Sequence, residues 1–422
     1  MEPLLSRFGL LLGAVVTVVT LAAGVMAQSV EVVATGNADQ DVLAIQNAVD
    51  HNEHVTLIGH FSFDGSQTVP TALPDLYPQA TIKVRKSVSI TGTGGDDDEM
   101  TTIKGGTIPF YVEAPGASVT IQSLRFESPT QDAIFVYAVN GLMITKCKFK
   151  GIVPVPFGTS GAPMPTGIAI DINTSGHVPM PMPMQAGHPE NISGRLLITN
   201  NDINLEGASF AENTLGITVF AVGRSPDREA DIYVSGNSIR HTTEPAINFR
   251  LLGGRANVES NVINTGNVSS RLSPRPEAIR VANTGSYVIA HNAIKCEWPD
   301  SDAIGIGVFS QFAAWQLQHV IVKDNDVIMS PPSGTVFGDL SAGIDIRGFT
   351  RDNFVANNRI QGRARAAIAV DPFRQGIPIN NELVLNNLHD FEAALVDVVV
   401  GMDVTNTLLL GQEGSLQQDG SV

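Results

Sequence analysis

One phrase recurs along the chain: two apolar residues separated by one position, two small or polar residues, Asn, any residue, then Ile or Val. It reads Leu196-Leu-Ile-Thr-Asn-Asn-Asp-Ile203, Ile232-Tyr-Val-Ser-Gly-Asn-Ser-Ile239 and Ala256-Asn-Val-Glu-Ser-Asn-Val-Ile263. It returns as Tyr287-Val-Ile-Ala-His-Asn-Ala-Ile294, Val320-Ile-Val-Lys-Asp-Asn-Asp-Val327 and Asn353-Phe-Val-Ala-Asn-Asn-Arg-Ile360. Copies at Val119 to Phe126, Leu142 to Phe149 and Leu383 to Leu388 put Leu124, Cys147 and Leu388 in the Asn position. A second short apolar segment follows each copy: Ala133-Ile134, Gly167-Ile168, Gly216-Ile217, Ala246-Ile247, Ala278-Ile279, Ala303-Ile304, Gly343-Ile344 and Ala367-Ile368, each continued by x-aliphatic. Alternation with period two predicts strands whose aliphatic members point inward.

Successive Asn positions are 201, 237, 261, 292, 325 and 358, steps of 36, 24, 31, 33 and 33 residues. A phrase that is regular while its spacing is not implies a fixed coil carrying loops of different size. Strands that repeat in order without helices between them stack in parallel and bury their aliphatic faces in common columns. Inward Asn at a tight bend donates and accepts along such a stack. The pattern predicts an all-β fold: a single-stranded right-handed parallel β-helix of about nine or ten coils. Separate β-sandwiches would need hairpin turns, which are scarce.

A solenoid end needs a cap. Asp39 to Val49 predicts a short helix, capped by Asp39, with Val42, Ile45 and Val49 on one face. Arg7 followed by the apolar run Phe8 to Val25 and by Val25-Met26-Ala27 reads as a secretory signal cleaved before Gln28; the alternative is a retained anchor. The expected organisation is thus a leader at 1–27, a capping segment at 28–60, the β-helix at 61–410 and a polar tail at 411–422. The protein is expected to be secreted or periplasmic, with no membrane span after cleavage. Cys147 and Cys296 fall at least four coils apart, roughly 19 Å at the spacing of β-strands. A disulfide requires Cα atoms within about 7 Å, so both are expected to be free, buried thiols.

Composition narrows the function classes. Charged residues are only 16% and aromatics 6%, while the 40 Gly and 24 Pro supply turns. The net charge of −16 argues against a generic nucleic-acid binder. Charge is uneven: residues 224–374 hold 14 Arg and 2 Lys against 15 acids, or +1, leaving −17 for the remainder. The chain resembles the pectin-lyase-like superfamily of secreted carbohydrate-active β-helix proteins, over roughly Asn37 to Leu410. The phrase that carries the resemblance is specific for fold and unspecific for activity.

Counting outward from the inward Ile, one column of the second strand reads Tyr137, Asp171, Phe220, Arg250, Ala282, Gly307, Arg347 and Asp371. The other reads Phe135, Ala169, Thr218, Asn248, Arg280, Gly305, Asp345 and Ala369. Arg250, Arg280 and Arg347 thus share a face, Arg374 lies just beyond it, and Gly305 and Gly307 would form a flat step. Guanidinium forks suit a carboxylate-bearing sugar, and Tyr137 and Phe220 would stack on sugar rings. The expected partner is an acidic polysaccharide; the alternative is a non-catalytic carbohydrate-binding adhesin or envelope scaffold.

Three reactions compete on that face. In β-elimination, the resemblance to pectate lyases implies an Arg base and Ca2+ as the carboxylate neutraliser, whereas the residues themselves offer His241 as the easier base. In hydrolysis, Asp345 and Asp371 sit about 8 Å apart by register, within the separation of inverting glycosidases. The Gly-His-Gly of polygalacturonases is missing, however, and Arg359-Ile-Gln departs from their Arg-Ile-Lys. In C5-epimerisation, Asp371-Pro372-Phe373-Arg374 matches only the first two residues of the alginate-epimerase motif. Outside this face, His177 to Met184 with His188 offers soft ligands compatible with Cu(I), against a polyproline-like loop. Asp96 to Glu99 offers carboxylates for Ca2+, against a solvated turn.

Overall fold

The computed structural model describes residues 29–64, 82–95, 99–152, 154, 166–174, 188–207, 213–222, 229–250, 252–269, 276–393, 397–401, 404, 406–411 and 416–418. The leader, residues 177–187 of the Met/His loop and Asp96 to Asp98 lie outside them. No helix among the described residues is long and apolar enough to cross a membrane.

The chain winds through three parallel sheets of 13, 12 and 11 strands, visiting each in turn. One coil shows the order: Leu196 to Thr199 ends a strand of the 13-stranded sheet, Asp202–Asn204 follows in the 11-stranded sheet, and Asn213–Phe220 lies in the 12-stranded sheet. The 13 strands exceed the expected nine or ten coils because the first coils, from Ser29–Val33 onward, lack the Asn phrase.

Stacking is in register. On the 12-stranded sheet Ile134, Ile170, Ile217, Ile247, Ile279, Ile306, Ile344 and Ile368 pair one above another. On the 11-stranded sheet Phe126, Phe149, Ile203, Ile239, Ile263, Ile294, Val327 and Ile360 do the same. All sixteen are buried in one continuous core. The register corrects two coils of the sequence reading. The stacked residues there are Ile170 and Ile306, not Ile168 and Ile304, because each coil offers a small-Ile pair twice. The deciding contact is tertiary: the residue before the stacked Ile faces the 11-stranded sheet. A Cβ on Gly216, Gly305 or Gly343 would lie 2.9, 2.6 or 2.5 Å from Ile239, Val327 or Ile360 respectively.

At the bend between the 13- and 11-stranded sheets runs the carboxamide ladder. Nδ2 of Asn201, Asn237, Asn261, Asn292, Asn325 and Asn358 each donates at 2.9 Å to Oδ1 of the next Asn, ending at Asn386. Each Nδ2 also donates to a main-chain carbonyl of the preceding coil, and each Oδ1 accepts a main-chain N–H. The late copy is therefore shifted by two: Asn386 holds the ladder position, and Leu388 is the buried apolar residue after it.

The capping helix spans Ala38–His51, and its N-cap is Asn37 rather than Asp39: the Asn37 Oδ1 accepts from the Gln40 N–H at 3.1 Å. Val42, Ile45, Ala48 and Val49 are buried against the first coils, as is Asp41, which accepts from the N–H and hydroxyl of Thr35. Cys147 and Cys296 are free and buried. Burial pushes the Cys147 thiol up to about 12 and raises Cys296 as well, so neither is a nucleophile.

Asn292 makes four buried ladder bonds, two through each end of its carboxamide. Replacing it with Ala leaves buried donors and acceptors unmatched at about 1–3 kcal/mol each. Asn292→Ala is expected to lower stability by at least about 3 kcal/mol in denaturant unfolding. Asn257→Ala, on the outer face of the 13-stranded sheet, should change it by under about 0.5 kcal/mol.

Candidate functional site

The outer face of the 12-stranded sheet carries the charged residues singled out in the sequence, and the pairing fixes their columns. One residue past the stacked Ile, the column reads Tyr111, Phe135, Asp171, Thr218, Asn248, Arg280, Gly307, Asp345, Ala369 and Val399. Two residues further it reads Asn173, Phe220, Arg250, Ala282, Phe309, Arg347 and Asp371. Asp171 and Gly307 therefore change columns, and Gly305 faces the core. There is no open glycine step: a Cβ on Gly307 would lie 2.8 Å from Cδ of Glu277, whose side chain lies across it.

The arginines are not equivalent. Arg280 donates through Nε to Glu277, and both side chains are nearly buried. Desolvation works against its charge, but Glu277 and Glu244 outweigh it and raise the Arg280 pKa. Arg347, at 1% exposure, pairs with Asp345. Arg250 is half-buried, and no carboxylate among the described residues ion-pairs with it. Burial first, and then the neighbouring Arg280, lower its pKa to about 10 against the opposing pull of the Glu277 and Glu244 carboxylates. Arg374 is exposed on a left-handed turn, its guanidinium 5.4 Å from the Phe373 ring.

The three candidate acid–base residues are all engaged. Asp345 and Asp371 lie on adjacent coils two residues out of register, as expected. Asp345 is paired with Arg347, while Asp371 accepts from Arg365 Nη1 at 3.0 Å. His241 is in a left-handed bend after the 11-stranded sheet, its Nδ1 2.8 Å from Asn204 Oδ1. It belongs to neither outward column. The aromatics are packed: Tyr137 rests on Ile108, Tyr111 and Phe135, and Phe220 on Ala221 with Trp315 alongside.

Sequence reasoning missed a pair of buried carboxyl groups further toward the N-terminus. Asp132 and Asp171 are buried on adjacent coils. Desolvation and then the Asp132 charge push Asp171 well above the usual carboxylate range. The hint was available: Asp132 precedes the Ala133-Ile134 segment by one residue, and Asp171 follows Ile170. The two-residue misregister moved Asp171 out of its column.

No group of three or more His, Cys, Asp or Glu among the described residues is arranged to hold a metal ion. His188 lies 3.3 Å from Glu190 through Nδ1.

No known family's sequence profile matches the chain, and no curated protein is significantly similar to it. Solved structures similar to it include PfbA, a surface adhesin of Streptococcus pneumoniae (12% identity, TM-score 0.46, covering 90% of this chain and 93% of that one). Alginate lyase AlyF-OU02 is similar at 11% identity and TM-score 0.47, over 90% of this chain and 86% of that one. The A-module of the Azotobacter vinelandii mannuronan C-5 epimerase AlgE6 gives 13% identity and TM-score 0.37, over 91% and 98%. The assignment as a parallel β-helix rests on the chain's own strand pairing.

Two outcomes follow from these pairs. The folded state holds Asp171 protonated more readily than the unfolded chain does. Stability should therefore fall as pH rises above the unfolded carboxylate range, about 4, until Asp171 ionises in the folded state. Asp171→Asn is expected to remove that part of the slope in denaturant midpoints measured across pH. Glu277→Ala should destabilise by about 3–5 kcal/mol by stranding buried Arg280, and Glu277→Leu combined with Arg280→Met should recover most of it.

Proposed function

We propose that this is an exported β-helix protein that binds an acidic polysaccharide along the outer face of the 12-stranded sheet. The observation that carries the reading is Arg250: a half-buried guanidinium without an ion-pair partner among the described residues, on a face where Arg280 and Arg347 are tied to Glu277 and Asp345. A planar fork in such a place takes a carboxylate through two parallel hydrogen bonds. The sheet supplies a long shallow surface suited to a chain, and residues 224–374 taken together are close to neutral, at +1, in a chain of −16.

The chemistry this site favours is β-elimination. Neutralising the uronate carboxylate acidifies the adjacent C–H. A base removes that proton, its electron pair forms the ring double bond, and the glycosidic oxygen leaves with a proton from solvent. Arg250, holding the carboxylate as a cation, would supply that neutralisation and is not also the base. C5-epimerisation shares the first step. The second reading, a non-catalytic binder or envelope scaffold, is favoured by the occupied state of Asp345, Asp371 and His241.

Titration with galacturonate and mannuronate hexamers tests binding, and absorbance of the unsaturated product tests elimination. Arg250→Ala is expected to weaken hexamer binding at least tenfold, about 1.4 kcal/mol, with Arg374→Ala changing it less than twofold. If elimination occurs, its rate should fall as pH rises toward about 10, where Arg250 loses the charge that neutralises the carboxylate. Binding that survives Arg250→Ala sinks the assignment, and salt-sensitive binding without product selects the scaffold reading.

A further inference from the structure

Phe220, expected from the sequence to stack on a sugar, is covered instead, and the ring packed on it is Trp315. Trp315 ends a short 3-10 turn, Ala313–Trp315, in the segment that joins Ile304–Ser310 of the 12-stranded sheet to Leu317–Gln318. Both ends of this segment are pinned to the following coil, Ser310 beside Gly348 and Leu317 beside Thr350. Within it the Trp315 N–H donates to the Phe312 carbonyl at 3.0 Å, and the Ser310 hydroxyl donates to the Trp315 carbonyl at 2.7 Å. The Phe312 ring stands nearly at right angles to the indole, centroids 5.0 Å apart. Backbone and ring are thus fixed in advance of any ligand.

The segment runs backward across the sheet. The Gln311 N–H donates to Asn283 Oδ1 one coil earlier, and Trp315 packs on Phe220 three coils earlier. The outward column along that path reads Phe220, Arg250, Ala282 and Phe309, with its ends roughly 14 Å apart at the strand spacing. Trp315 therefore passes the coils of Ala282 and Arg250, and its indole rests one strand from Arg250, the guanidinium that no carboxylate ion-pairs among the described residues. Phe309, packed on Phe373 with centroids 5.0 Å apart, closes the other end of the stretch. Trp315, Arg250 and Phe309 are all half-exposed, so each presents surface to a ligand.

A flat apolar ring beside a fork of cationic donors selects a partner that carries both complements on one rigid unit. A pyranose uronate does so: the C–H bonds of one ring face are apolar, and the carboxylate projects from the ring edge. A flexible polycarboxylate has the charge without the face. We propose that Trp315 is the stacking platform of the Arg250 site, the ring of the bound sugar lying on the indole while Arg250 holds its carboxylate. The proposal rests on the polysaccharide reading above and narrows the ligand from an acidic polymer to a chain of pyranose uronates. Trp315 supplies affinity and orientation and takes no part in proton transfer.

The chain has 2 Trp, and Trp298 is 0% exposed with its indole N–H donated to the Thr242 carbonyl. A change in Trp fluorescence on binding therefore reports on Trp315. Galacturonate and mannuronate hexamers, with hexaglutamate as the ring-free polycarboxylate, are titrated by calorimetry and by acrylamide quenching of the emission. Saturation with a hexamer that binds is expected to lower the quenching about twofold or more, since a pocket ligand covers most of the surface it meets. Trp315→Phe should lose this signal and keep the affinity within about threefold, because a ring remains. Trp315→Leu keeps an apolar cover on Phe220 and should hold Tm within about 4 °C, yet weaken the hexamer about tenfold or more. Hexaglutamate should bind about tenfold more weakly than the better hexamer. Unchanged quenching at saturation overturns the platform, and because it is read on the wild-type chain it decides even where Trp315→Leu lowers Tm further. Wild-type affinity in Trp315→Leu, or hexaglutamate binding as tightly as the hexamers, also overturns it. Either result, with binding that Arg250→Ala still weakens, leaves the Arg250 contact standing. If neither hexamer binds the wild-type protein, the polysaccharide reading fails and the platform with it.

Discussion

The carboxamide ladder is the constraint on which the rest of the structure depends. From Asn201 to Asn386 each buried side chain at one bend must give and receive hydrogen bonds from the coils on either side. A slip of one residue would turn every inward side chain outward and strand these amides in the core. The ladder thereby locks the stacked Ile and Val columns, and with them the outward columns between. It tolerates coils of very different length, because only the bend and its flanking strands are specified.

A consequence of strict stacking is that outward neighbours sit one strand spacing apart, so like charges placed in a column would face each other closely. The outer face of the 12-stranded sheet answers with pairs made within a coil: Glu277 with Arg280, and Asp345 with Arg347. Between the Glu277–Arg280 pair and the Asp132–Asp171 pair lie Thr218, Asn248 and Arg250. There the face has a guanidinium that its own pairs leave over. A face built this way needs no motif in the sequence: it is assembled one residue per coil, from positions about 30 residues apart in the chain.

The resemblance by which the sequence pointed to a carbohydrate-active β-helix holds at the level of architecture. The motifs of the enzymes in that superfamily are absent, and the acid–base residues first singled out, His241, Asp345 and Asp371, each have a hydrogen-bonding or ionic partner. Arg250 kept its place from sequence to structure because its coil carries only one small-Ile pair. Asp171 did not, because Gly167-Ile168 and Ala169-Ile170 are equally good starts.

The sequence by itself determined the coil. Alternation places side chains in or out, and the recurring Asn marks a bend, because both are local consequences of strand geometry and of the cost of burying an unpaired amide. The extra N-terminal coils were invisible to it, since they lack the recurring phrase as a whole. Only the tertiary structure decided the phase of the ambiguous coils, through the contact of Gly305 with Val327 and its equivalents on the facing sheet. It also decided which arginine remains available, since the partners Glu277 and Asp345 are chosen by distance across the folded face. Column membership can be counted along a chain; the competition among neighbouring charges for one another cannot.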